Sequence, residues 1–144
     1  MKTKTLFLLT VICFISFNSL YAQKLTAKQK EKEQNKVKIF TSEENDNLQR
    51  FYHEEVDKMK LPNEDKEKYY DILLYHTYDM SRLDDKDKDY TETEITQKFN
   101  VILDKMNAKM KALLTPSQYI MHLEIFGKIV YSVNRKRDMK KNKE

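Results

Sequence analysis

Four threonines in this chain are each followed, three positions later, by Glu or Gln. The pairs are Thr26 with Gln29, Thr41 with Glu44, Thr91 with Glu94, and Thr115 with Gln118. In such a capping box the Thr hydroxyl accepts a hydrogen bond from the N–H three residues on, and the Thr N–H donates to the Glu or Gln side chain. Each box satisfies two backbone donors that a helix start leaves open, so the sequence predicts four helix starts.

Apolar residues recur at spacings of three and four, which is the period of an amphipathic helix. The three clearest stripes are Leu48, Phe51, Tyr52, Val56 and Met59; Tyr69, Ile72, Leu73, His76, Met80 and Leu83; and Ile95, Phe99, Ile102, Leu103, Met106, Met110 and Leu113. The final segment is apolar on two sides, with Ile120, Leu123, Phe126, Val130 and Val133 on one and Met121, Ile125 and Ile129 on the other. This last helix is expected at the centre of the core or in a dimer interface.

One glycine and two prolines in 144 residues leave little turn chemistry for β-sheets. Pro62 and Pro116 are each expected at the first position of a helix, where the missing N–H costs nothing. The fold is therefore predicted to be all-α, with four to five short amphipathic helices in one domain over residues 41–137. A polar, basic arm at residues 23–40 is expected to be loosely held, and a basic tail at residues 138–144 to be solvated.

Residues 1–22 carry the pattern of a secretory signal peptide. Lys2 and Lys4 precede an apolar run over residues 6–17, and Ala22 supplies a small residue for cleavage directly after it. The run is shorter than the roughly 20 residues that a membrane-spanning helix needs. The protein is therefore predicted to be periplasmic or secreted, with no transmembrane anchor in its mature form.

The single cysteine, Cys13, lies inside that apolar run. Lipid attachment is not expected there, because Ile12 precedes the cysteine where lipoprotein processing requires small residues. Cleavage after Ala22 would remove the only thiol from a chain that is sent to a disulfide-forming compartment. Thiol redox chemistry and disulfide cross-links are therefore not expected in the mature chain.

Two of the capping boxes extend to a longer motif. Leu114-Thr115-Pro116-Ser117-Gln118 and Leu25-Thr26-Ala27-Lys28-Gln29 match the LTxxQ pattern of the Spy/CpxP family of bacterial periplasmic proteins, which the chain resembles. Leu61-Pro62-Asn63-Glu64-Asp65 resembles a third copy that departs from the pattern at the Thr and Gln positions. The resemblance covers export, size and helical plan. It implies LTxxQ-type helical hairpins that dimerise into a cradle.

The same resemblance implies a function. Family members act as ATP-independent chaperones, or as accessory regulators and metal-responsive partners of envelope-stress sensors. The chain is accordingly expected to bind unfolded or stressed envelope proteins as a homodimer without a cofactor, through an apolar Met/Tyr-containing face rimmed by Lys and Arg. Accessory regulation of a sensor and a purely structural helical module are the alternatives. The motif residues start helices, so no client-binding residue carries over from them.

Alternate acids at Asp85, Asp87 and Asp89 resemble the first half of a calcium-binding EF-hand loop. The second half is absent, because Tyr90 stands where the loop needs Gly and Thr96 where it needs the bidentate Glu. A solvated loop is the preferred interpretation.

Three histidines, His53, His76 and His122, carry imidazole nitrogens that suit zinc, copper or nickel. They are widely spaced, and no His-x3-His pair or Cys/His cluster presets a site, so ordinary packing or surface roles are preferred. Metal coordination by His53 with Glu54 is kept as a hypothesis. No metal site is predicted.

Catalysis is not expected, because the sequence has no Gly-rich phosphate loop, Gly-x-Ser-x-Gly elbow or catalytic cysteine. Acidic pairs such as Glu54 with Glu55 lie in charge-rich stretches where solvation is normal. The basic tail and the tyrosines could suit nucleic acid, but predicted export argues against that partner. Four methionines in the helical stripes have core filling as their default role, and methionine also suits surfaces that accept varied partners: Met59, Met80, Met106 and Met110.

Overall fold

The computed structural model describes residues 26–141, and in that range it is all-α, as predicted. It contains five helices: α1 Ala27–Asn35, α2 Ser42–Lys58, α3 Asn63–Ser81, α4 Glu92–Leu113 and α5 Pro116–Lys141. The predicted signal peptide lies outside the described residues. None of the five helices is long and apolar enough to cross a membrane.

The described residues form two units, residues 26–34 and residues 35–141. Helix α1 belongs almost wholly to the first and has no buried residue. The second contains α2 to α5 and the hydrophobic core. Helix α5 extends to Lys141, into the segment expected as a solvated tail.

All four predicted helix starts are confirmed, and each helix begins directly after its Thr. The Thr N–H donates to the Gln29, Glu44, Glu94 or Gln118 side chain over 2.8 to 3.0 Å. The return bonds to the Thr hydroxyls are 3.2 to 3.4 Å long. These sites were predictable because a capping box is satisfied within four consecutive residues.

The start of α3 differs by one residue from its prediction. Pro62 is the residue before the helix rather than its first member, because its ψ of 151° is extended and Asn63 is the first helical residue. No side chain caps this end. Pro116 does occupy the first position of α5, as predicted.

Helices α2 to α5 pack around one core. Helix α5 packs against α2 and α4, and α3 packs against α4. The core cluster contains Tyr52, Val56, Met59, Tyr69, Leu73, Met106, Met110, Leu114, Ile125 and Phe126. The predicted stripes of α2, α3 and α4 supply most of it, and Met80 is half-buried against it.

Helix α5 departs from its two predicted apolar sides. Ile125 and Phe126 are buried, but Ile120 and Leu123 are exposed. A 3.6-residue period places Ile125 and Phe126 on the inward side and rotates Ile120 and Leu123 to the outside. The helix is therefore a core helix that also presents an apolar outer face.

Gln118 joins two helix ends. Its Oε1 accepts from the Thr115 N–H at 3.0 Å, and its Nε2 donates to the Met59 carbonyl beyond the end of α2 at 3.1 Å. At the opposite end of the pair, Lys136 of α5 forms an ion pair with Glu44 in the first turn of α2. Helices α2 and α5 are therefore antiparallel.

The substitution Gln118→Glu is expected to destabilise the fold by about 1 kcal/mol. Glu can complete the capping box but cannot donate, so its carboxylate oxygen would face the Met59 carbonyl. A negative charge at a helix start is favourable and offsets part of this cost. Urea unfolding measures the change, with Gln29→Glu at the exposed α1 box as the matched control, which should change stability by less than about 0.5 kcal/mol. Equal effects at the two sites would contradict the role given to the Met59 bond.

Candidate functional site

A buried chain of hydrogen bonds crosses the core from α2 to α4. The Tyr52 and Tyr69 hydroxyls are 2.7 Å apart, and the Tyr69 hydroxyl lies 2.9 Å from Nδ1 of His122. On the far side of the ring, Nε2 of His122 lies 3.3 Å from Oδ1 of Asn107. Tyr69 and His122 are fully buried, and Tyr52 is almost so.

The Asn107 side-chain oxygen determines which group donates in each hydrogen bond of this buried series. Because Oδ1 can only accept, Nε2 of His122 carries the proton and Nδ1 is left as an acceptor. The Tyr69 hydroxyl then donates to Nδ1, and the Tyr52 hydroxyl donates to the Tyr69 oxygen. Every polar atom along this path has a partner, which is the condition for a buried polar network to stabilise a fold.

Burial keeps the members of this chain uncharged. It lowers the pKa of His122 to about 4 and raises that of Tyr69 to about 12. Burial also raises the pKa of Tyr52, and the Tyr69 hydroxyl beside it adds to the shift. Three aromatic rings have centroids within 6.2 Å of the imidazole centroid and exclude water from it: Tyr69, Tyr119 and Phe126. Because its groups are neutral and sealed from solvent, this chain of hydrogen bonds has a structural role.

The three histidines have separate environments. Nδ1 of His53 lies 2.7 Å from the Tyr70 hydroxyl, Nδ1 of His76 lies 2.8 Å from the Ile72 carbonyl, and His122 belongs to the buried chain. Within residues 26–141, no group of three or more His, Cys, Asp or Glu side chains could hold a metal ion. In the same range, no third metal ligand of these types joins His53 and Glu54, so metal coordination by this pair stays a hypothesis.

The acidic loop after α3 separates its three aspartates. Asp85 is buried and its Oδ2 lies 2.7 Å from Nε of Arg82, whereas Asp87 and Asp89 are exposed. The buried carboxylate is therefore held by a guanidinium, as one half of an ion pair. The solvated-loop interpretation holds for Asp87 and Asp89 but is wrong for Asp85, because an arginine at i−3 allows its charge to be buried.

The outer face of α3 carries a cluster of large apolar side chains exposed to solvent. Leu74 is 64% exposed, Tyr75 63% and Tyr78 51%. These three residues, the α3 patch, fall within about 100° of the helix circumference and so form one surface. In the sequence they fall between residues of the predicted α3 stripe, and the stripe residues face the core.

Cations lie over both aromatic rings of the α3 patch. Nζ of Lys109, on α4, is 5.4 Å from the Tyr75 ring centroid, and the Arg82 guanidinium carbon is 5.9 Å from that of Tyr78. Asp71 and Asp79 are also exposed on α3, so the rim carries both signs. The α3 patch therefore combines leucine and tyrosine side chains with a border that carries both charges.

Sequence reasoning named His122 but missed its hydrogen-bond partners Tyr69 and Asn107, and the Tyr52 hydroxyl that bonds Tyr69. A tyrosine in an apolar helical stripe is the available signal, because its buried hydroxyl requires a partner. The sequence could not identify that partner, since Tyr69 and His122 are 53 positions apart.

The LTxxQ residues at positions 114–118 act in helix initiation and packing. Leu114 is buried, Thr115 caps α5, and Gln118 completes the box while bonding the Met59 carbonyl. Helix initiation and core packing therefore account for all three motif residues. No protein-family model, curated protein or solved structure matches this chain.

Proposed function

We propose that this chain is an exported, ATP-independent chaperone-like protein that holds unfolded envelope proteins on the α3 patch. The observation that carries the proposal is the exposure of Leu74, Tyr75 and Tyr78 side by side on one helix. Single exposed apolar residues are common on soluble proteins, whereas adjacent large ones rimmed by charge favour an interaction surface. The predicted signal peptide and the LTxxQ resemblance supply the proposed location and family.

The chemistry of the patch suits an unfolded chain. Two tyrosine rings and a leucine offer apolar area to side chains that a folded client would bury. Lys109 lies over the Tyr75 ring, and Asp71 and Asp79 are exposed on the same helix as the patch, so segments of either charge find a complementary group at its border. The patch is small and open, which favours weak and fast association with many clients.

The proposal requires neither ATP nor a cofactor, and it places the protein in the periplasm or outside the cell as a homodimer. Regulation of an envelope-stress sensor remains the alternative function, and it predicts co-purification with one defined partner. A structural module predicts neither clients nor a partner.

The test is aggregation of a chemically denatured client diluted into buffer containing the purified protein. Light scattering should fall severalfold at equimolar protein, and the triple variant Leu74→Gln, Tyr75→Gln, Tyr78→Gln should lose most of that protection. Glutamine keeps helix propensity, and the three positions are exposed, so the fold should be retained. Circular dichroism checks that it is.

Val101→Gln is the matched control, because Val101 is an exposed apolar residue on α4 outside the patch. It should protect the client as well as the unmodified protein does. Absence of protection by the unmodified protein rejects the chaperone function. Equal protection by the triple variant rejects the α3 patch as its site.

A further inference from the structure

Helix α5 has a second exposed apolar surface, separate from the α3 patch. Ile120 is 58% exposed, Leu123 41% and Tyr131 66%. With Gly127 between them, these residues follow spacings of three, four and four, so they lie along one face of the helix. Ile120, Leu123, Gly127 and Tyr131 form the α5 stripe.

Gly127 is the only glycine of the chain and stands in the middle of this stripe. A Cβ added there would meet nothing within 4 Å, and the residue does not have a positive φ. Glycine inside a helix costs about 0.5–1 kcal/mol relative to alanine. Neither backbone conformation nor packing in the described chain calls for it. A glycine on an exposed apolar face does allow the backbone of another helix to approach closely.

The charges beside the stripe indicate which helix fits. Glu124 and Lys128 are both exposed and lie on the same flank of Gly127, one before it and one after it. When two copies of α5 cross antiparallel at Gly127, Leu123 of one copy lies opposite Tyr131 of the other. Glu124 then lies near Lys128 of the second copy, and the two-fold axis repeats the pair. A parallel two-fold pair would instead put the Glu124 and Lys128 flanks of the two copies on opposite sides of the contact, where neither ion pair could form.

We propose that the α5 stripe is the interface of a homodimer, in which two α5 helices cross antiparallel at Gly127. The surface is self-complementary in both apolar contacts and charge, as a two-fold interface requires. Lys128 lies with its Nζ 6.0 Å from the Phe51 ring centroid, and its flexible stem can turn toward the partner. The inference assigns the interface and does not depend on client binding.

Sedimentation of the purified protein over a range of concentrations tests the interface. The unmodified chain should dimerise, and Gly127→Leu should raise the dissociation constant at least tenfold because the added side chain separates the helices. Ala108→Leu adds the same kind of bulk at an exposed position of α4 and should leave the constant unchanged. A monomer at about 100 μM, or a dimer unaffected by Gly127→Leu, overturns the proposal.

Charge exchange tests the antiparallel geometry. Glu124→Lys and Lys128→Glu should each weaken the dimer severalfold, and the double variant should recover most of the loss because the pairs are restored with reversed sign. No recovery in the double variant overturns the antiparallel arrangement. Aggregation assays of the same variants report client binding separately, so the two proposals can fail independently.

Discussion

Acidification from pH 7 to pH 5 is expected to lower the free energy of unfolding by about 2 kcal/mol, chiefly through His122. Its pKa is about 4 in the fold and 6.5 in a solvated chain. Between these values the unfolded chain takes up a proton that the buried imidazole refuses, so stability falls as the pH falls. The full loss approaches about 3 kcal/mol near pH 4, at about 1.4 kcal/mol for each pKa unit.

The pH window identifies the group responsible. Carboxyls with lowered pKa values, such as Glu44 beside Lys136 and Glu94 at its cap, lose their contribution at lower pH than the imidazole. Denaturant unfolding at pH 7, 6 and 5 therefore isolates His122. In His122→Gln the stability should be lower at pH 7 but nearly independent of pH in this range.

Tyr52→Phe is the control for that experiment. It disturbs the same hydrogen-bond chain but retains His122, so it should keep the pH dependence of the unmodified protein. An unmodified protein equally stable at pH 7 and pH 5 would show that His122 is not buried in its neutral form.

Tyr69→Phe is expected to destabilise the fold by about 3 kcal/mol. The Tyr69 hydroxyl is the middle link of the chain, so its removal leaves both the Tyr52 hydroxyl and Nδ1 of His122 without their partner in a buried site. Each buried polar group that loses its partner costs about 1–3 kcal/mol. Tyr52→Phe removes an end link and should cost only about 1 kcal/mol.

A double-mutant cycle measures this dependence on position. Once Tyr69 is phenylalanine, the Tyr52 hydroxyl has already lost its acceptor, so Tyr52→Phe should be neutral or slightly stabilising in that background. The coupling between the two positions should be about 1–2 kcal/mol. Equal costs for the two single substitutions, with no coupling, would contradict the order of donors assigned to the chain.

The sequence was sufficient for those parts of the fold that depend on near neighbours. Each capping box is closed between Thr and the third residue after it, and the α4 stripe follows from one helical period, so Thr91, Glu94 and Met106 were placed correctly. The position of Pro62 was wrong by one residue, because its ψ angle depends on the turn that joins α2 to α3.

The buried chain and the exposed surfaces needed the tertiary structure. Tyr69 and His122 come from helices far apart in sequence, and only the packing of α3 and α5 brings the hydroxyl to the ring. Tyr75 and Tyr78 stand off the predicted α3 stripe and were not singled out from the sequence, and only the tertiary structure places Lys109 over the Tyr75 ring. Burial of Asp85 likewise depends on the fold around its pair with Arg82.

The proposal that unfolded proteins bind to the outer face of α3 can be tested on the protein in solution. The measurement is the amide chemical shifts of the isotope-labelled protein during titration with a permanently unfolded client. Binding at the α3 patch predicts that the shifts cluster at Leu74, Tyr75 and Tyr78 and around Lys109. A titration without shift changes, or changes confined to other helices, would contradict the claim.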